Sequence, residues 1–361
     1  MSRKFQRRTL FINYSNNKTW KSYGLYLLAF LVFFYGAIFL WPVVPAVSNI
    51  AGGTSYKVKI APQSSLSAIS GQLSEQGVSV NVPTFQIAAR ALFVGSKLKP
   101  GTYLLAPRAS LGNILLQIAR GDRVRESVAI IPGMTIWQLR GLIDNHPALI
   151  HQTKGMSSKE LLQAIGLSYP GVEGLFYPDT YIFDPDDSDI SIYRRASQAM
   201  QKQLTTTWEQ KDVTSPLKTP YELLVLGSIV EKETGRSSDR SLVAAVFVNR
   251  LKINMPLQTD PTVIYGIGPN FDGNLRKTDL RKDSPYNTYM HKGLPPTPIA
   301  MPSKESLQAV VHPAKSEAIY FVARGDGGSH FSKTLKEHEN AVDQFQRKRN
   351  TPNKSNSQQS L

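Results

Sequence analysis

One stretch constrains this chain before anything else. From Tyr23 to Val44 every residue is apolar, aromatic, Gly or Pro, and no charge interrupts the run. About 20 such residues make a helix long enough to cross the hydrocarbon core of a bilayer. Tyr23, Tyr26 and Trp41 lie near the ends of the run, where amphipathic rings favour the interface. Pro42 and Pro45 mark where a helix should stop. Residues 1–22 carry Arg3, Lys4, Arg7, Arg8, Lys18 and Lys21 and no acid. The positive-inside rule therefore expects residues 1–22 in the cytoplasm, a single span over 23–44, and the rest of the chain outside. A cleaved signal peptide is the rival reading, but its apolar core is shorter, about 7–15 residues. No later segment approaches the length needed to cross back.

The 361 residues hold no cysteine, which excludes a disulfide framework, a thiolate nucleophile and a cysteine-based metal site. The formal charge is +15, but its distribution matters more than its size. The leader holds six positive charges, and the segment 333–361 holds six positive against three negative. The middle of the chain keeps 15 − 6 − 3 = +6. Much of the basicity thus belongs to the ends, and a nucleic-acid-binding function is disfavoured.

Beyond the run, residues 48–55 are mostly small and polar and read as a linker. Tyr56–Ile60 alternates as a strand, and Ser65–Gln76 carries Leu66, Ile69 and Leu73 at helical spacing. Asn81–Val94 reads as a second helix and Leu98–Leu105 as a turn feeding a strand. Ser110 then caps a helix that Gly121 stops. Further on, a strand is expected at Val128–Ile131, with helices from Met134, over Ser158–Ile165 and over Ile190–Trp208. The Gly-, Pro- and Asp-rich segment Tyr169–Asp187 reads as loop. Gly325–Gly328 after the strand Ile319–Ala323 reads as a hairpin turn, and the polar tail 347–361 reads as disordered. The fold class is α+β. The division expected is a cytoplasmic segment 1–22, a span 23–44, a small module 50–124, a larger domain 125–346 and the tail.

The chemistry concentrates after Thr219. Thr219-Pro220-Tyr221-Glu222 has the form of a capping box with Pro at the first helical position. The helix it opens is heavily apolar (Leu223, Leu224, Leu226, Ile229, Val230), yet it ends in Glu231-Lys232-Glu233. At about 100° per residue the two carboxylates point nearly oppositely. Glu231 continues the stripe of Gly227 and Ser228, whose small side chains leave space above the helix. Glu231 is therefore expected to face a cleft, and Glu233 to face solvent or a basic partner. A carboxyl beside an apolar wall has its charged form disfavoured, as a general acid near neutral pH requires. Most helical Glu residues are merely solvated, and it is the downstream company that weighs against that reading here. Gln258, Thr259 and Asp260 form a polar run. Tyr286, Asn287, Thr288, Tyr289, Leu294 and Pro295 form aromatic, amide and Pro-rich loops. Aromatic faces and amides are the usual sugar-binding groups, although the same residues are also turn formers. There is no GxSxG elbow, no HExxH helix and no phosphate-binding glycine loop. The six histidines show no paired ligand spacing, so neither a metal site nor a cofactor is expected.

At these residues the chain resembles the YceG-like family of endolytic murein transglycosylases. The matching segments are Glu173–Tyr181, Ser228–Thr234, Val246–Leu251, Leu257–Gly266, Tyr286–Tyr289, Gly293–Pro296, His312–Lys315 and Tyr320–Ala323, in consistent order over about residues 55–345. The resemblance implies that Glu231 is the catalytic residue and that the small module is LysM-like. It implies an endolytic lytic transglycosylase that cuts the MurNAc–GlcNAc bond of nascent glycan strands and leaves 1,6-anhydromuramyl ends, acting as a terminase of glycan polymerisation. Its expected partners are peptidoglycan glycan strands, the inner membrane and, as candidates, peptidoglycan synthases. A membrane-anchored, non-catalytic glycan-binding or scaffolding protein is the alternative.

Overall fold

The structure, a computed structural model, describes residues 17–46 and 55–347. The basic residues before 17, nearly all of the expected linker, and the tail from 348 lie outside the described residues. The chain divides into two compact units, Met1–Arg125 and Glu126–Leu361.

The first unit begins with α1 (Asn17–Leu40), followed by β1 (Tyr56–Ile60), α2 (Leu66–Glu75), α3 (Val82–Ala91), β2 (Gly101–Leu105) and α4 (Leu111–Arg120). Within α1, Ser22–Leu40 is 19 residues of mean hydropathy 2.1, long and apolar enough to cross a membrane. The helix stops sooner than the apolar run. Pro42 has no N–H to continue it and instead forms a β-bridge with Ser110. Val43 and Val44 donate their N–H groups to the Ala109 carbonyl at 3.0 and 3.2 Å. The end of the expected 23–44 span thus belongs to the module's packing, where Ile38 and Val44 are buried. β1 and β2 pair antiparallel from Tyr56↔Leu105 to Ile60↔Gly101. Ser65, Asn81 and Ser110 cap α2, α3 and α4 with their side-chain oxygens. The core is Val58, Ile60, Leu73, Phe85, Tyr103, Leu105, Ile114 and Ile118.

The second unit runs β3 (Glu126–Ala129), α5 (Ile136–Asp144), β4 (Leu149–Ile150), α6 (Ser158–Ile165), β5 (Thr180–Phe183), β6 (Asp187–Ser188), α7 (Asp189–Trp208), α8 (Pro220–Glu233), α9 (Arg240–Lys252), α10 (Asp260–Ile267), α11 (Lys304–Val311), β7 (Tyr320–Ala323), β8 (Ser329–Ser332) and α12 (Leu335–Val342). The pairs are β3–β5 and β7–β8, both antiparallel, and β4–β6, parallel. The segment Tyr169–Asp187 is therefore not all loop. Thr180-Tyr181-Ile182-Phe183 buries Tyr181 and Phe183 on one face, and Tyr181 pairs with Val128. The surrounding Gly, Pro and Asp residues masked this short alternation.

α8 sits at the centre, packed against α7, α9, α10 and α11. Leu223, Leu224, Leu226, Ile229 and Val230 are all fully buried. Thr219 caps it by accepting from the Glu222 N–H at 3.1 Å, but the Glu222 carboxylate turns to the Lys218 N–H, so the expected capping box is half made. Gly227 is where α11 comes closest: a Cβ there would lie 2.7 Å from Leu307 Cδ2.

Candidate active site

The last turn of α8 presents its two carboxylates to different surroundings. The stripe of Gly227 and Ser228 does leave space, and the segment leading into α11 fills it. Ser228 Oγ accepts the Ile299 N–H at 3.0 Å and donates to the Val225 carbonyl at 2.7 Å. One turn on, a single oxygen of Glu231 accepts from the Ser303 N–H at 2.9 Å, from Ser303 Oγ at 2.5 Å and from Ser306 Oγ at 2.6 Å. These donors stand at the N-terminus of α11, where N–H groups lack helical partners and the dipole favours an anion. Glu231 thus fastens α8 to α11.

Glu233, expected to face solvent or a basic partner, lines a cavity of about 490 Å³ together with Arg250, Gln258, Asp260, Tyr289, Tyr320 and His338. Thr259 Oγ1 donates to its carboxylate. Burial pushes the Glu233 carboxyl above its ordinary range, and the nearby Asp260 adds to the rise. The Thr259 hydrogen bond and the Arg250 charge act the other way. This is the environment that holds a proton on a carboxyl and still leaves it open to a ligand.

The cavity walls have clear local causes. Thr259 precedes α10, and Pro261 occupies its first turn. The Thr259 N–H donates to Thr288 Oγ1 at 3.1 Å, and Thr288 Oγ1 lies 2.9 Å from Thr262 Oγ1. Gln258 adopts φ 49°, a region uncommon for a side chain of its size, and its N–H donates to the Thr288 carbonyl at 3.0 Å. Tyr289 Oη donates to Asp260 at 2.6 Å, and burial raises the Tyr289 hydroxyl above its usual value. Arg250 holds two walls at once: Nε donates to the Ile319 carbonyl at 2.6 Å and Nη1 to the Leu257 carbonyl at 2.7 Å. Its guanidinium lies over the Tyr320 ring at 5.4 Å. Its neighbour Asn249 holds the Ser316 and Ala318 carbonyls.

The sequence-derived binding residues therefore separate. Gln258, Asp260 and Tyr289 line the cavity. Thr259 and Thr288 are buried beneath it. Asn287 is buried too, and its amide holds the Leu280 and Lys282 carbonyls. Tyr286 bonds Thr297 and packs on Tyr265, while Leu294 and Pro295 are absent from the lining. Sequence reasoning missed Arg250, Tyr320 and His338. Arg250 had a signal, a guanidinium inside the apolar run Val243–Leu251.

A third carboxylate, Glu173, is fully enclosed. It accepts the Ile136 N–H at the start of α5 and the Gly174 N–H. Burial pushes it up to about 7 against those bonds and one from Tyr265. Trp137 stacks on Tyr265 at 4.9 Å. Among the described residues no group of three or more His, Asp or Glu converges as a metal site would require.

The comparisons with known proteins agree on the lineage. The sequence model of the YceG-like family matches residues 58–344, and the chain belongs to that family. An endolytic murein transglycosylase of Bacillus subtilis is 32% identical over 335 residues, covering 87% of this chain and 89% of the relative. One from Streptococcus pneumoniae is 33% identical over 176 residues, 47% of this chain and 32% of that longer protein. The crystal structure of a yceG-like protein from Listeria monocytogenes superposes with a TM-score of 0.50 at 29% identity, over 80% of this chain and 98% of the other.

Proposed function

We propose that this chain is an endolytic lytic transglycosylase of peptidoglycan, with Glu233 as its acid and base. One observation carries the assignment of the residue: Glu233 is the α8 carboxylate that lines the cavity and is held above its ordinary pKa. Glu231, favoured by helix phase and by the resemblance, is taken up by α11. The names of the family relatives support the substrate class.

In the proposed reaction Glu233 gives its proton to the glycosidic oxygen as the bond to the MurNAc anomeric carbon breaks. The carboxylate then takes the proton of the MurNAc 6-hydroxyl while O6 closes onto that carbon. The product is a 1,6-anhydro end, and Glu233 is protonated again. One carboxyl serves both steps, where ordinary glycosidases need a pair. Thr259 orients the carboxylate, and Arg250 and Tyr289 hold the walls.

The apolar α1 supports an inner-membrane anchor with the second unit outside the cytoplasm, where polymerised glycan is found. In this reading residues 50–124 are a LysM-like module, residues 125–346 are catalytic, and the enzyme cuts nascent strands near the membrane as a terminase beside the synthases. The test is digestion of isolated peptidoglycan by the full chain and by Glu233→Gln, followed by mass spectrometry. Anhydromuramyl ends from the wild type and none from the variant are expected. Reducing ends from the wild type would make it a hydrolase. An intact substrate with tight binding would make it a glycan-binding protein.

A further inference from the structure

The first unit leaves part of its apolar surface open at the edge of its core. α3 runs beside the last turns of α1, and Tyr35 Oη donates to the Ala91 carbonyl at 3.0 Å. Between the two helices lies a groove of about 300 Å³ lined by Phe34, Ala37, Ile38, Trp41, Ile87 and Leu111, among others. Thr84 supplies the only polar side chain of that lining. Of this lining Ile87 is 53% exposed and Trp41 72%, and Phe93, two residues past the end of α3, is 83% exposed. Phe93 takes φ 54° in the turn that closes α3, where its N–H donates to the Arg90 carbonyl and the Val94 N–H to the Ala89 carbonyl, and its ring is left exposed. A large exposed aromatic just past the end of a helix that walls an apolar groove is not explained by the packing of this unit.

We propose that this face sits in the outer leaflet of the membrane, with phospholipid acyl chains filling the α1–α3 groove. The inference rests on the reading of α1 as a membrane span. Its argument is continuity: the groove is walled by the same helix whose Leu25–Phe33 side chains are exposed along the apolar run. Tyr35 lies five residues before Leu40 in α1, which puts the Ala91 contact about 8 Å back along the helix axis. The end of α3 is therefore at the depth of residues that belong to the span, and Phe93 points outward from there. Arg90 and Lys97 are exposed on and just beyond α3 and are long enough to reach headgroup phosphates while the apolar residues face hydrocarbon. Such seating ties the module to the bilayer plane as a rigid extension of the anchor.

The absence of cysteine makes the test direct. The full chain is reconstituted in phosphatidylethanolamine–phosphatidylglycerol vesicles with one nitroxide-labelled cysteine at a time: Ile87→Cys, Phe93→Cys, Val32→Cys within the span, and Glu75→Cys on the exposed side of α2. Collision with oxygen, which concentrates in hydrocarbon, is compared with collision with a water-soluble nickel chelate. We expect the oxygen-to-nickel ratio at residues 87 and 93 to approach that at 32 and to exceed that at 75 by about threefold or more. Water-like values at 87 and 93 beside a lipid-like value at 32 would overturn the seating and leave the anchor standing. A water-like value at 32 would remove the anchor and the seating together. Dipolar broadening between Ile87→Cys labels on different copies would give the groove to a second chain and also overturn the proposal.

Discussion

Two residues apart on one helix, Glu231 and Glu233 have opposite fates. The Glu231 side of α8 faces small residues, and a second helix has moved into the space they leave. The Glu233 side faces Thr259, Arg250 and the start of α10, which stand off and leave a cavity. Vacancy along a helix is thus a poor guide to a cleft. Small side chains invite close helix packing as readily as they admit a ligand. What distinguishes the two sides is the partner. Glu231 accepts three hydrogen bonds from donors at a helix start, which hold its carboxylate in one place. Glu233 is desolvated beside another acid, which stabilises a proton.

The largest expected effect divides the pair most sharply. Glu233→Gln should lower the rate of glycan cleavage by roughly 10²–10⁴-fold, because the amide cannot cycle a proton, with the far-ultraviolet circular dichroism unchanged. Glu231→Gln can still accept hydrogen bonds from the serines and should stay within about tenfold of wild type. The reverse ranking, measured on folded proteins, would return the catalytic role to Glu231.

Glu231→Ala should act on stability instead. It strands Ser303 and Ser306 without their acceptor, a loss of about 1–3 kcal/mol. Thermal denaturation should show a lower midpoint, while the activity of the folded fraction changes little. An unaltered melting temperature would mean that the Ser303–Ser306 contact does not fasten α11.

Much of this was legible beforehand, and the failures share a cause. The cap of α8, its buried stripe and its terminal acids follow from Thr219, Pro220 and the apolar spacing. The helices over Ser158–Ile165 and Ile190–Trp208 follow from periodicity. Local pattern could not reveal what lies opposite a side chain. Which carboxylate would be engaged by α11 depended on residues more than 70 positions later in the chain. Asn287 and Thr288 have the composition of a sugar site, but their side chains are used to hold the loop that carries Tyr289. Arg250 was hidden in a run that reads as core, and its role needed the positions of Leu257 and Ile319. β5 was lost among turn residues because four residues of alternation are too few to outweigh them.

Glu173 extends the contrast to a third carboxyl, one that is enclosed. Its folded pKa, about 7, lies above the ordinary carboxylate value of 4.5. The unfolded chain therefore releases this proton first as pH rises. Glu173 favours the folded state fully below about pH 4.5, and that contribution is lost as pH rises through about 7, on the order of 3 kcal/mol in all. Glu173→Gln should flatten this part of the stability profile when unfolding is followed in urea between pH 4.5 and 7.5. An unchanged slope would mean that Glu173 is ionised over the whole range in the fold.

The smallest effect is also the finest test of the Glu233 surroundings. Asp260 is exposed, accepts the Tyr289 hydroxyl and contributes to the raised pKa of Glu233. Asp260→Asn keeps an oxygen for Tyr289 but removes the negative charge. The charged form of Glu233 then becomes easier to reach, so its pKa falls. In the proposed reaction the first step needs Glu233 protonated, so activity should be lost as pH rises through that pKa, and the alkaline limb of the pH–rate profile should move to lower pH. The rate on the acid side of the limb should change by no more than a few-fold. A limb that stays in place would mean that Asp260 does not bear on the proton. A limb that moves with Asp260→Asn yet persists in Glu233→Gln would place the titrating carboxyl elsewhere on the cavity wall.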